Sequence, residues 1–393
     1  MQMYEDLNSL LNAFLKILVT LHFSAGFCGE LLYNAVKKLH IGKIDYRDKQ
    51  LMKKRKKNRS RAIGIGLLAI IVICCIAGLL IYSYASKSYD GQKMRIYINS
   101  ATGADGLRDS IVSKLGSDYG ERVYAVWDKL SDASQLKSGS YVVNHGEKAW
   151  QLARRIKNHR QDPLKVTFNN LRTFGQLMAS LDAQLLVDSA ALVDATKLLL
   201  DAESVSPANY VAHFFPDTYE FYWDETADGV VKKITNNYNR FWKDERRAKA
   251  AKLGLTPDEV ATLASIVEEE TNKSDERPKV ARLYLNRLNA GMKLQADPTV
   301  KFALGDFALR RLLNKHLQVD SKYNTYMYEG LPPGPIRQPQ AATLDAVLNA
   351  PEHKFIYMCA KEDFSGYHNF AVDYATHQAN AKKYRAALDK NGY

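Results

Sequence analysis

The stretch TPDEVATLASIVEEETNK, residues 256–273, combines a helix start with a cluster of acids. Thr256 suits an N-cap, Pro257 the first helical position and Glu259 the third, a capping-box pattern. Val260, Leu263, Ala264 and Val267 follow at i, i+3, i+4 and i+7, which predicts a helix with one buried stripe. On that wheel Glu270 falls at the edge of the stripe. Glu269 lies nearly opposite, facing water, and Glu268 lies between them beside Ala261 and Ala264. Glu270 is therefore the acid expected against apolar surroundings. Burial disfavours a carboxylate and raises its pKa, and the two neighbouring glutamates push the same way. An acid that keeps its proton near neutral pH can deliver it to a leaving oxygen. Read alone, the pattern equally suits a solvated helix end.

The following segments build outward from this helix. ERPKVARLYLNRLNAG, residues 276–291, predicts a second amphipathic helix with Val280, Leu283, Tyr284 and Leu288 inward and Gly291 past its C-terminus. In MKLQADPTV, residues 292–300, Gln295, Asp297 and Thr299 alternate, as residues lining a polar groove would; the alternative is a turn or helix cap at Asp297-Pro298-Thr299. Aromatic and polar residues mix in FFPDTYEFYW, residues 214–223, and in YNTYMYEGLPPGPI, residues 323–336, which reads as ordered loop. Polar groups for hydroxyls and aromatic faces for C–H surfaces together suit a polysaccharide. Residues 206–393 are thus expected to be helix-rich.

Upstream, residues 86–205 read as a small mixed α/β region. Strands are expected over 93–100, 138–144 and 162–168, and helices over 147–158 and 171–186. Before it, AIGIGLLAIIVICCIAGLLIYSYA, residues 62–85, holds no charge and is long enough to cross a bilayer core of roughly 30 Å. The basic run KKRKKNRSR, residues 53–61, places its N-terminal side in the cytoplasm. The apolar core is too long for a cleaved signal peptide. Residues 1–61 hold 13 Lys and Arg against 5 Asp and Glu, and so carry +8 of the +12 net charge. The charge is a leader property, and with no zinc-finger, RNP-like or basic-zipper pattern it argues against nucleic acid as a partner. Within that leader, residues 10–27 are apolar but interrupted by Lys16 and His22. They read as a surface helix or a weak second span, unless Met52 is the natural start. Cys28 precedes the span, Cys74 and Cys75 lie in it, and Cys359 is alone beyond it. That leaves no disulfide in the exported part and no CxxC metal site.

The segments ASIVEEET, ERPKVARLYLNRL, GMKLQADPTVKFALG, YNTY, GLPPGPI and HNF, preceded by DPLKVTF and FFPDTYEF, are spread over about residues 90–390. As a set they resemble the YceG-like endolytic murein transglycosylases. The resemblance implies an α+β chain: a single N-terminal transmembrane helix at 62–85 behind a leader at 1–61, a LysM-like subdomain at 86–205, and a helix-rich catalytic domain at 206–393. It implies cleavage within peptidoglycan glycan strands at the cytoplasmic membrane, leaving 1,6-anhydro-N-acetylmuramic acid ends, with peptidoglycan synthases as neighbours. The catalytic acid it implies is the glutamate before threonine, Glu270, the residue chosen by the wheel. A lytic transglycosylase can run on this one acid, because the nucleophile is the sugar's own C6 hydroxyl, and it calls for no metal or cofactor. Gln295, Asp297, Thr299, Tyr323, Asn324, Thr325 and Tyr326 are expected substrate contacts, with loop scaffolding as the alternative. His368 and Asn369, in GYHNF, are expected to reach the site, and residues 330–336 to shape its wall. His368 and His377 lack a third ligand for a metal. A hydrolase using Asp297 as a second carboxylate and a non-catalytic wall-binding scaffold are the competing readings.

Overall fold

The computed structural model describes residues 46–131, 133–309 and 311–391. The expectations for residues 10–27 and for Cys28 lie outside the described residues. The chain divides into two units, one ending at Ser83 and one spanning Tyr84–Tyr393. In the first, helix α1 (Tyr46–Ala85) continues the basic run into the apolar stretch without a break. Among the described residues it is the one helix long and apolar enough to cross a membrane. Its Ile65 and Leu68 stand 68% and 64% exposed, a state that a hydrocarbon surround would relieve. Its uncharged portion, residues 62–85, is about 36 Å long at the helical rise.

The second unit is a helix-rich α+β body with, among the described residues, three two-stranded antiparallel sheets. Strand β1 (Met94–Ile98) pairs with β2 (Gly139–Val143), with Ile96 opposite Tyr141. Between them run α2 (Gly103–Leu115) and α3 (Ser117–Leu130), two helices outside the elements expected from the sequence. Their large buried side chains recur at every fourth position, Leu107, Ile111 and Leu115, then Tyr119, Val123 and Trp127, with Gly120 buried beside them. A stripe that thin is easily missed. Gly116 at φ 84° separates the helices, and a Cβ on Gly120 would lie 2.8 Å from Val112 Cα, so glycine permits their close approach. With α4 (Ala149–Lys157) these elements enclose one core around Ile98, Trp127, Tyr141 and Leu152.

A second core draws on both sides of residue 205. Strand β3 (Leu164–Phe168) pairs with β4 (Asp217–Phe221), and α5 (Phe174–Asp182), α6 (Ser189–Ala202) and α7 (Ala227–Phe241) pack around them. The aromatic run 214–223 therefore contains a strand. Tyr219 and Phe221 point inward, and Phe168 stacks on Tyr219 at 5.4 Å.

The third core is built on α9 (Pro257–Glu270), with α8 (Asp244–Lys252), α10 (Arg277–Asn289) and α12 (Ala341–Leu348). The expected single stripe is corrected here: every residue from Val260 to Glu268 is buried. Small residues, Ala261, Ala264 and Ser265, let neighbours cover α9 on all sides. Helix α11 (Asp297–Leu304) and the hairpin β5 (Tyr357–Ala360)–β6 (His368–Ala371), backed by α13 (Tyr374–Lys390), complete the unit.

Candidate active site

Helix α9 starts on the predicted capping box: Glu259 N–H donates to Thr256 Oγ1 at 3.2 Å, and Thr256 N–H donates to Glu259 Oε2 at 2.7 Å. It ends at Glu270, after which Thr271 turns extended at φ −139°, ψ 131°. This terminus holds the three acids in three different settings. Glu268, 3% exposed, accepts the Gln340 N–H at 3.0 Å and the Thr343 hydroxyl at 2.7 Å, and its other oxygen lies 3.4 Å from Arg337 Nη2. Glu269 does not face water, contrary to the wheel. Arg337 Nη1 donates to it at 2.7 Å and Arg172 Nη2 at 3.0 Å. Arg172 and Arg337, brought from other segments, cover the face of Glu269 that the wheel left to solvent, and its side chain is part-buried.

Among the described residues Glu270 has no cationic partner of that kind. Its Oε1 accepts the Tyr284 hydroxyl at 2.9 Å, from a side chain only 1% exposed on α10. Burial pushes the Glu270 carboxyl up from its ordinary 4.5 to about 7. The Tyr284 hydrogen bond pulls it down, Asp297 pushes it up, and Arg287 and Lys301 pull it down. The like charge acting on Glu270 is thus that of Asp297, rather than those of its chain neighbours. Tyr284 responds in turn: burial and the adjacent carboxyl hold its hydroxyl proton on, well above the ordinary phenol range. The sequence had marked Tyr284 only as core. A buried tyrosine hydroxyl needs a partner, but sequence does not say which.

The expected contact residues separate into two groups. Asp297 is exposed in the first turn of α11 and accepts the Tyr326 hydroxyl at 2.6 Å. Gln295 is exposed at φ 51°, its N–H bonded to Thr325 O at 3.1 Å. Thr299, Asn324 and Thr325, in contrast, are at most 2% exposed. Thr299 and Thr325 hydroxyls meet at 2.8 Å, and Asn324 Nδ2 ties down Leu317 O and Val319 O, each at 2.9 Å. The alternation of 295, 297 and 299 ends where α11 begins, which turns Thr299 inward. Tyr323 packs on Phe302 at 4.7 Å. On β6, His368 Nδ1 lies 2.7 Å from Glu276 Oε2, while Asn369 donates to Glu362 at 2.8 Å. His377 stacks instead on Tyr357 at 5.2 Å. The 330–336 loop is pinned to α9 by Ile336 N–H donating to Ser265 Oγ at 3.0 Å. Chemically, a protonatable carboxyl held by the Tyr284 phenol feels the Asp297 carboxylate, to which the Tyr326 hydroxyl is bonded, while His368 and Asn369 bond instead to Glu276 and Glu362.

A model of the YceG-like family matches residues 97–383. An endolytic murein transglycosylase of Bacillus subtilis is 28% identical over 330 residues, covering 83% of this chain and 86% of that protein. One of Streptococcus pneumoniae is 23% identical over 337 residues, covering 76% of this chain and 61% of the relative. A crystal structure of a yceG-like protein of Listeria monocytogenes matches 73% of this chain and 98% of its own, at a TM-score of 0.50 and 22% identity.

Proposed function

The chain belongs to the YceG-like family, and on that premise we propose that it is an endolytic lytic transglycosylase of peptidoglycan with Glu270 as its catalytic acid. The observation that carries the reading is the Glu270 carboxyl, bonded to Tyr284 and pushed up to about 7, at the end of a helix buried from Val260 to Glu268. Protonated Glu270 gives its proton to the glycosidic oxygen as the bond to C1 of N-acetylmuramic acid breaks. The oxocarbenium-like sugar is then attacked by its own C6 hydroxyl, whose proton passes to the Glu270 carboxylate. The ring closes as a 1,6-anhydro end and the acid is restored. Because the nucleophile is held in the same sugar, no second protein carboxylate is needed, unlike in hydrolysis.

Gln295, Asp297, Tyr326, His368 and Asn369 supply polar contacts to the glycan. Thr299, Asn324 and Thr325 hold the backbone that presents them, and Tyr323 anchors that loop on Phe302. The α1 helix serves as a single-pass anchor in the bacterial cytoplasmic membrane, with the basic leader inside and residues 86–393 outside. There the enzyme meets nascent strands beside their synthases and limits strand length. Residues 86–205 supply the LysM-like module, for which the β1–α2–α3–β2 order is the supporting feature.

The test is digestion of purified sacculi by wild type and Glu270→Gln, with products weighed by mass spectrometry. The expected products are anhydro-ended fragments, one water lighter than hydrolytic ones, from wild type alone. Reducing ends would instead mark a hydrolase, and intact strands a binding protein.

A further inference from the structure

Glu276 is a buried acid that the mechanism above does not use. It is 6% exposed and sits at the N-cap of α10, the helix that delivers Tyr284. Its carboxylate ties three segments. Oε2 accepts the Thr271 hydroxyl at 3.0 Å, from the residue directly after Glu270. Oε1 accepts the His368 backbone N–H at 2.8 Å, and Oε2 lies 2.7 Å from His368 Nδ1. A carboxylate only accepts, so this contact puts a proton on Nδ1; in the neutral ring Nε2 then holds the lone pair. Among the described residues no hydrogen bond is made to Nε2, although Nδ1 and the backbone N–H of the same residue are both engaged.

A histidine oriented by a buried carboxylate, with its opposite nitrogen open, is the arrangement by which sites fix an acceptor in place. Here the orienting carboxylate also grips the connector leaving the acid. Around the imidazole stand Glu276 from the α10 N-terminus, the Phe370 ring at 6.4 Å on its own strand, and the adjacent Tyr367, whose hydroxyl bonds Asp275 and whose ring carries Lys273 Nζ at 4.9 Å and Lys361 Nζ at 5.6 Å.

We propose that Glu276 is a positioning residue that holds His368 in its Nδ1–H form, so that Nε2 accepts a hydroxyl or amide hydrogen of the glycan bound beside Glu270. This rests on the transglycosylase reading. Glu276→Gln provides the sharpest test, since the glutamine amide can donate to Nδ1. The proton then moves to Nε2, and an acceptor becomes a donor while the shape is kept.

The experiment uses the full chain in detergent micelles. It compares wild type, Glu276→Gln, His368→Gln and the double variant on purified glycan strands, well below each melting temperature, and follows the histidine tautomer by 15N NMR. The expected result is a fall of about tenfold or more in kcat/KM for each single variant, the scale of one good hydrogen bond. The double variant falls no further than the weaker single, and the Glu276→Gln spectrum shows an Nε2–H imidazole. Wild-type kcat/KM in Glu276→Gln, losses that add in the double variant, or an unchanged tautomer would each overturn the inference. If wild type leaves reducing ends or intact strands, the transglycosylase reading is what fails, and the tautomer measurement still decides the Glu276 assignment.

Discussion

At the scale of single residues, Glu270 makes two opposed predictions. Its working form as donor is protonated, so kcat/KM is expected to fall as pH rises through about 7. Asp297 raises the Glu270 pKa, so Asp297→Asn moves that alkaline limb to lower pH. Tyr284 lowers it, so Tyr284→Phe moves the limb to higher pH. A pH–rate series on the three proteins checks both signs, and shifts in the same direction would refute the account. The same carboxyl also links stability to pH. Its folded pKa lies above the unfolded value, so its contribution is fully present below about 4.5 and is lost as pH rises through about 7. Glu270→Gln is then expected to be more stable than wild type at pH 8 by up to ~3 kcal/mol, with no such gain at pH 4; denaturant melts at the two pH values measure it. Sequence singled out Glu270 because its spacing from Leu263 and Val267 is periodic. It misjudged Glu269 because periodicity describes one helix and does not reveal that Arg172 and Arg337 approach from elsewhere.

At the scale of elements, what is local was readable and what is contributed from afar was not. The box at Thr256 and Glu259, the strands at residues 94–98, 139–143 and 164–168, and the helix of Tyr284 all follow from neighbours in sequence. The thin stripes of α2 and α3 gave too few apolar positions per turn, and the 295–299 alternation proved to be the approach to α11. The 330–336 loop is a case where packing, not local propensity, sets the residue. A Cβ on Gly334 would overlap the carbonyl oxygen of Ala208, which belongs to a backbone segment that cannot swing aside as a side chain can. Gly334→Ala should cost about 1–3 kcal/mol by overpacking, whereas Gly175→Ala, where nothing lies within 4 Å, should be close to neutral or slightly stabilising. Comparable melting temperatures for the two variants would contradict this placement of the loop.

At the scale of the whole molecule, α1 and the body it precedes make separable demands. The full chain should fractionate with membranes and resist extraction by high salt, while a chain lacking residues 62–85 should appear in the soluble fraction; release of the full chain by salt would exclude a spanning anchor. Within the body, the end of α9 is neutralised from two directions. Arg172, from the segment joining β3 to α5, and Arg337, from the loop before α12, share Glu269, and Arg337 also donates to Asn170. Removing one of the two cations leaves the part-buried Glu269 a single partner, at a cost below the about 3–5 kcal/mol of a fully buried pair broken outright. This limits recombination between relatives. A chimera that takes residues 86–205 from one family member and the remainder from another inherits half of an ionic lock, and works only when the donor brings residues matching Asn170 and Arg172. Asn170, Arg172, Glu269 and Arg337 should therefore change together across lineages, as one inherited character rather than four.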